Sequence, residues 1–346
     1  MTASVKKKHQ PGTSSVLTFA KRAGLDGFVL SLIAMIFLAY LWPQAGETQS
    51  PYRLAEVAGY GVSFIFFFYG LRLSPEKLKA GLSKWRLHLV VHLTTFVLFP
   101  VLVLAGKFFF ESSNNQLIWL GVFFLGALPS TVSSSVVMVS IAGGNLPAAI
   151  FNASISSLIG VFITPLWMGL VLHSATNHFE FGTVISKLTL QVLVPVIAGL
   201  TLHARLGAFA EKHRVVLRYF DQCIILLIVY TSFCESFARK MFTGFSIMDI
   251  VILGICMTGL FFLVYMIVHA CCRLLQFSRK DRITAVFCGS KKSLVHGTVM
   301  SRVLFPGSEI VGIVLLPLML YHALQLIAAS ILAQSMARRG SQGEAV

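Results

Sequence analysis

Apolar residues in this chain gather in long runs rich in Leu, Ile, Val and Phe, separated by short polar stretches. Runs of about 20 residues predict helices that cross a bilayer. They fall near residues 26–43, 54–73, 87–106, 117–141, 146–173, 183–204, 215–237, 248–271, 282–304 and 309–335, ten spans in all. The first, from Gly27 to Trp42, follows Lys6, Lys7 and Lys8 and superficially resembles a signal peptide. It is long and bulky and lacks a small-residue cleavage site, so it reads as a retained span. Residues 1–25 are expected to form a polar cytoplasmic segment, 26–336 the transmembrane domain and 337–346 a cytoplasmic tail.

Composition agrees. Hydrophobic residues make up 56% and charged residues 12% of the 346, with a mean hydropathy of +0.81. A water-soluble domain carries about 25% charged residues, so lipid must be the solvent for most of this surface. The net charge of +15 suits a phosphate backbone on its face. Placement excludes nucleic acid as a partner, because the basic residues sit in short clusters between apolar runs. One side takes Lys6 to Lys8, Lys21, Arg22, Arg72, Lys77, Lys79, Lys84, Arg86, Arg205, Lys212, Arg214, Arg218, Arg273, Arg279, Lys280, Arg282, Arg338 and Arg339. Only Arg53, Lys107, Lys187, Arg239, Lys240 and Arg302 fall on the other. The asymmetry predicts a multi-pass protein of the cell membrane with both termini cytoplasmic. The six cysteines lie in or beside spans without metal-ligand spacing, and read as small packing residues.

An all-α protein of ten transmembrane helices suggests duplication. A unit of five crosses an odd number of times, so its second copy starts on the opposite side, giving two inverted five-helix repeats. Two spans at matching places are interrupted by polar, helix-breaking chemistry. In the fourth, Gly126 and Pro129 precede hydroxyls at Ser130, Thr131, Ser133, Ser134 and Ser135. Proline has no amide proton, so the upstream half-helix should stop there, and Ser130 or Thr131 should cap the downstream half. The bland alternative is a proline kink with serines bonded back to the helix. In the ninth, Ser290, Lys291, Lys292 and Ser293 split a run from Ile283 to Leu304. A lysine at the bilayer centre costs about 2.5–3.5 kcal/mol. Treating 282–292 as a mere loop would leave too few apolar residues to cross.

Discontinuous helices 4 and 9 crossing at the midplane would offer exposed main chain, hydroxyls and positive charge. That combination favours a small organic anion over a bare cation. Asn152 and Ser156, four apart on the fifth span, share a face and serve either the site or helix packing. His296, one turn after Lys292, is a further candidate, whereas His269 and His322 read as interhelical hydrogen-bond partners. Acids are scarce in the spans. Asp221 is placed to pair with Arg218 or to act in coupling, and Glu56 and Glu235 lie nearer span ends.

Three stretches resemble a divergent branch of the bile acid:sodium symporter family. They are 128–137, Gly143-Gly144-Asn145 with 149–152, and 287–294. The resemblance implies a panel and a core domain, unwound and crossing fourth and ninth helices, and alternating access. It also implies a candidate sodium site near Ser134, Ser135 and Asn152; no cofactor is expected beyond that candidate ion. The family's ninth-helix glutamate is missing: no acid occurs between Arg282 and Arg302, and Lys291 and Lys292 stand near its place. A lysine ammonium in the space of a bound cation would make transport sodium-independent or proton-linked.

Other classes fit less well. An intramembrane enzyme would need a His-Glu-x-x-His, paired aspartates or Gly-x-Ser-x-Gly, and none occurs. Arsenite carriers of related architecture would want a cysteine between residues 117 and 141. A regulatory membrane protein without flux stays open, as do the substrate, the transport direction and the oligomeric state.

Overall fold

The computed structural model describes residues 27–72, 84–107, 116–175, 186, 189–243, 246–305 and 310–343. The expected N-terminal segment 1–25 and the end of the tail, 344–346, lie outside the described residues. The described residues are mostly helical, with no strand among them. In order the helices are α1 (Gly27–Leu41), α2 (Leu54–Leu71), α3 (Trp85–Ala105), α4 (Gln116–Ala127), α5 (Ser133–Ile141) and α6 (Leu146–Ala175). They continue with α7 (Thr189–Lys212), α8 (Arg214–Ala238), α9 (Ile247–Leu274), α10 (Arg279–Gly289), α11 (Leu294–Leu304) and α12 (Val311–Gly343). Seven of them are long and apolar enough to cross a membrane: α2, α3, α6, α7, α8, α9 and α12. Of the other expected spans, the first is the shorter apolar helix α1. The fourth and ninth are each divided, into α4 with α5 and α10 with α11.

Around an apolar core, the outer surface departs from that of a soluble protein. Outward positions carry large apolar side chains, among them Phe37, Tyr60, Ile255, Met266 and Leu274, while Asn152, Lys291, Lys292 and Gln325 are fully enclosed. Lipid can solvate the first group; only protein can satisfy the second.

Helix contacts fall into two neighbourhoods. Helices α1, α2, α7 and α8 pack on one another, and the divided helices pack against α3, α6, α9 and α12. The closest approach is between α2 and α7, where Gly70 and Gly199 face each other. A Cβ on Gly199 would collide with the Phe67 carbonyl, and one on Gly70 with that of Val196. Small residues let two backbones meet where no hydrophobic effect drives them together.

Local sequence explains the interruptions. Helix α4 ends before Pro129, which supplies no amide for the carbonyl four residues back. Helix α11 restarts behind Ser293, whose hydroxyl accepts the His296 amide at 3.3 Å. Helix α5 restarts differently from expectation: Val132 holds the capping position with no side-chain bond. Ser130 and Thr131 are diverted, the first to the opposite break at the Cys288 carbonyl, the second to the Ser134 hydroxyl. An orphaned carbonyl of the other chain segment outcompetes a local cap. A third irregularity lies in α3, where a π turn spans Thr94–Leu98 just before Pro100.

Candidate functional site

The two breaks are bonded to each other. Ser293 donates its amide to the Pro129 carbonyl at 3.0 Å. The hydroxyls of Ser130 and Ser135 donate to the carbonyls of Cys288 (2.6 Å) and Phe287 (3.1 Å). Every main-chain group freed by an interruption must find a partner at this depth, and most do so from neighbouring helices. Thr164 of α6 donates to Ala127 O at 2.8 Å, and Ser156 accepts the Ser130 amide at 2.9 Å. From α12, Tyr321 donates to Ser290 O at 2.6 Å. Gln325 takes the Lys292 amide and gives its own Nε2 to the Lys292 carbonyl, both at 2.8 Å.

Three carbonyls left over from this accounting converge on one ammonium. Lys292 Nζ donates to Thr95 O (2.8 Å), Gly126 O (2.6 Å) and Leu128 O (2.8 Å). Gly126 and Leu128 belong to the frayed end of α4. Thr95 is free for a different reason. In the π turn the Phe99 amide bonds Thr94 O, and the residue that would next serve Thr95 is Pro100, which has no amide proton. An ammonium has three donors, and here each has one carbonyl. The Phe99 ring lies 4.1 Å from the same nitrogen, adding a cation–π contact. Lys292 is 0% exposed, and no carboxylate lies in hydrogen-bond or ion-pair contact with it among the described residues.

Lys291, the neighbouring residue, points elsewhere. Its ammonium, also 0% exposed, donates to Ser134 Oγ at 2.7 Å. Unwound backbone is what allows consecutive side chains to diverge so far. Asn152 is engaged by His88 Nδ1 at 3.0 Å and donates to Ala148 O at 2.9 Å. Thus Ser134, Ser135 and Asn152, the residues expected around a sodium ion, each bond a different protein group. Ser133 opens α5, and its side chain lies outside the described residues.

Beside the joined breaks, a cavity of about 240 Å³ opens between them and helices α2 and α8. Its polar lining comprises Tyr69 of α2 and Arg72 at that helix's C-cap, Ser154 of α6, Asp221 of α8, and Thr131, Ser293 and His296 around the breaks. The start of α11 faces it. His296 Nδ1 contacts Ser293 Oγ at 3.0 Å, and the His296 ring rests on the edges of Phe66 and Tyr69. The Tyr69 hydroxyl donates to Ser154 O at 2.8 Å.

Asp221 corrects an expectation. It pairs with Arg72 at 2.9 Å, whereas Arg218 lies over the Tyr219 ring. Helix periodicity placed Arg218 one turn away on the same helix, but the cavity wall brings in Arg72 from α2. The second oxygen, Oδ1, is buried and has no hydrogen-bond partner among the described residues.

Sequence reasoning found the breaks and missed their supports. Pro100, Thr164, Tyr321 and Gln325 gave no motif. The signals were small oddities: a proline inside the third span and a glutamine midway along the tenth. The interhelical reading of two histidines is corrected: His322 bonds Gln325 of its own helix at 3.1 Å, and among the described residues His269 Nδ1 has no hydrogen-bond partner.

Apolar helices facing outward around two interrupted, mutually bonded segments and a polar cavity define a multi-pass membrane transporter. The model of the SBF-like CPA transporter family matches residues 26–338, so the chain belongs to that family and is a bile acid:sodium symporter-like transporter. It is 43% identical to an uncharacterized protein of Pseudomonas aeruginosa over 91% of this chain and 93% of that one. To YfeH of Escherichia coli it is 36% identical, over 93% and 96%. Sodium/bile acid cotransporter 7-B of Xenopus laevis is 31% identical, over 90% and 92%.

Proposed function

We propose that this protein is a secondary active transporter of a small organic anion, working by alternating access without sodium, with Lys292 as its resident cation. The observation that carries this reading is the carbonyl cage, in which the three acceptors that would suit a bare cation each hold one ammonium donor. Carbonyl oxygens and hydroxyls are the ligands hard cations select. Lys291 engages Ser134, one of the hydroxyls that a second cation would need.

Counting α1 and each divided pair as one span brings the seven long helices to ten. The divided pairs then stand fourth and ninth, the places that two inverted five-helix repeats would give them. Contacts between distant segments respect the expected sidedness. Lys84 meets Asp281, and Arg279 meets the Met336 carbonyl at one end. Arg302 meets Ala55 O, and Thr48 meets Glu235 at the other. These pairs support termini on one side, the cytoplasmic one by the charge rule.

The substrate would enter the cavity beside the breaks, where the α11 N-terminus contributes partial positive charge and Arg72 a guanidinium that Asp221 neutralises until it is protonated. A volume of about 240 Å³ limits it to a small molecule. One observation favours proton linkage as a second reading: Asp221 Oδ1 is buried and unpaired beside Arg72. Protonation of Asp221 would release Arg72 to hold an anion. Uptake of a panel of small carboxylates and sulfonates into proteoliposomes tests both. Uptake unchanged when potassium replaces sodium is expected, and an obligatory sodium gradient would overturn the first reading. A pH gradient that drives accumulation in wild type and not in Asp221→Asn would select the second.

A further inference from the structure

Away from the breaks, at the end of the molecule that holds the Lys84–Asp281 pair, a second cleft of about 170 Å³ lies between α9, α10 and α12. Its lining is divided by chemistry. His269, Arg279 and Arg282 supply its basic lining, and Ile283, Val286 and Met336 its apolar lining. Arg279 spends one guanidinium donor on the Met336 carbonyl at 2.9 Å. Among the described residues the Arg282 side chain has no hydrogen-bond or ion-pair partner, although it is half-buried. His269 Nδ1 is buried and likewise unpartnered. Arg273, four residues beyond His269 in α9, places a third guanidinium at the same end of that helix. No acid lines the cleft. Asp281, the nearest in sequence, is turned to Asn145, Ser278 and Lys84.

A half-buried guanidinium without a protein partner at the edge of a membrane is favourably matched by an external anion. Guanidinium forks match phosphate oxygens in geometry and number. Helix α9, which supplies His269, is the natural neighbour of an acyl chain, since Ile255, Met266 and Leu274 are exposed at 66%, 65% and 83%. We propose that this cleft binds the phosphate of an anionic phospholipid headgroup, held by Arg279, Arg282 and His269, with the acyl chains along the outer face of α9. A basic pocket between transmembrane helices at headgroup level is the form such sites take. The choline cation of a zwitterionic lipid would be repelled by the same arginines, so the site selects for net negative charge.

The test is thermal melting of the detergent-purified full chain with added phosphatidylglycerol, phosphatidylcholine or inorganic phosphate. Phosphatidylglycerol alone is expected to raise the melting temperature. Arg282→Gln, which breaks no bond within the protein, should raise the phosphatidylglycerol concentration needed for half the shift at least tenfold. Arg205→Gln, an exposed arginine on α7, should leave it unchanged. Equal shifts with phosphatidylcholine, or a full shift retained in Arg282→Gln, would overturn the proposal. An equal shift with inorganic phosphate that Arg282→Gln abolishes would make this a free-anion site and overturn the lipid assignment. Arg279→Gln serves as a second variant, read only as the difference between the two lipids, because it also loses the Met336 contact.

Discussion

Removal of the Lys292 ammonium is the sharpest perturbation this architecture allows. Lys292→Ala would strip the donors from Thr95 O, Gly126 O and Leu128 O, all within 2.8 Å of Nζ. A buried acceptor left unsatisfied costs about 1–3 kcal/mol, so three cost about 3–9 kcal/mol if nothing replaces the ammonium. Relief from burying a cation offsets several kcal/mol of this. Net stability therefore turns on what refills the cage, and the space left by the side chain suits a sodium ion with three carbonyl ligands. Sodium at a hundred times its dissociation constant would stabilise the variant by about 2.7 kcal/mol. For a chain of this length that is a melting shift of about 4 °C. Melting in detergent is measured in sodium chloride and in choline chloride at equal ionic strength. Wild type should be indifferent to the cation, and Lys292→Ala should melt higher in sodium. Lys292→Met, which fills the channel of the stem without donors, should be the least stable of the three in either salt. A wild-type protein that gains several degrees from sodium while Lys292→Ala gains none would refute the reasoning.

Other perturbations probe the supports. Tyr321→Phe removes the donor on Ser290 O and should cost about 1–3 kcal/mol, read as a lower melting temperature with the fold retained by circular dichroism. Thr164→Val does the same to Ala127 O and should be of similar size, with uptake reduced because the α4 end loosens. Gly199→Val places side-chain atoms against the Phe67 carbonyl and should destabilise by about 1–3 kcal/mol or more, while Gly259→Ala, which meets open space, should be near neutral in the same melting assay. Asp221→Asn leaves Arg72 without its anion. It should lower stability, and should tighten small-carboxylate binding relative to wild type at neutral pH, measured by ligand-dependent melting.

How legible the chain was follows from the range over which each signal acts. Transmembrane runs were visible because about 20 residues must all be apolar to cross lipid, a constraint that repeats along the sequence. The breaks were visible because Pro129 and the paired lysines violate that constraint locally. What could not be read is which orphaned group each polar side chain would serve. Ser130 was expected to cap its own helix and instead serves Cys288 on the other break. Asp221 was expected near Arg218 and meets Arg72, 149 residues away in the chain. Both misreadings have one cause: local periodicity ranks partners on the same helix, whereas at membrane depth the strongest demand comes from unpaired main chain or charge on another.

The same asymmetry bears on how a carrier with a lysine in this place must be driven. A dissolved ion couples transport because its affinity differs between two states and it is released in one of them, so its gradient does work. An ammonium on a four-carbon stem cannot leave. It can neutralise the carbonyls of the crossing and hold the two breaks together, which is what a bound sodium would do structurally, but it delivers no energy from outside. Under the proposed reading, the anion must then move down its own gradient or travel with a group that does exchange with solvent. Asp221, titratable, on the cavity wall and with one oxygen unpaired, is placed to exchange a proton without disturbing the Lys292 cage. The structural role and the energetic role of the coupling ion would thereby be divided between two residues, one enclosed behind the breaks and one on the cavity wall.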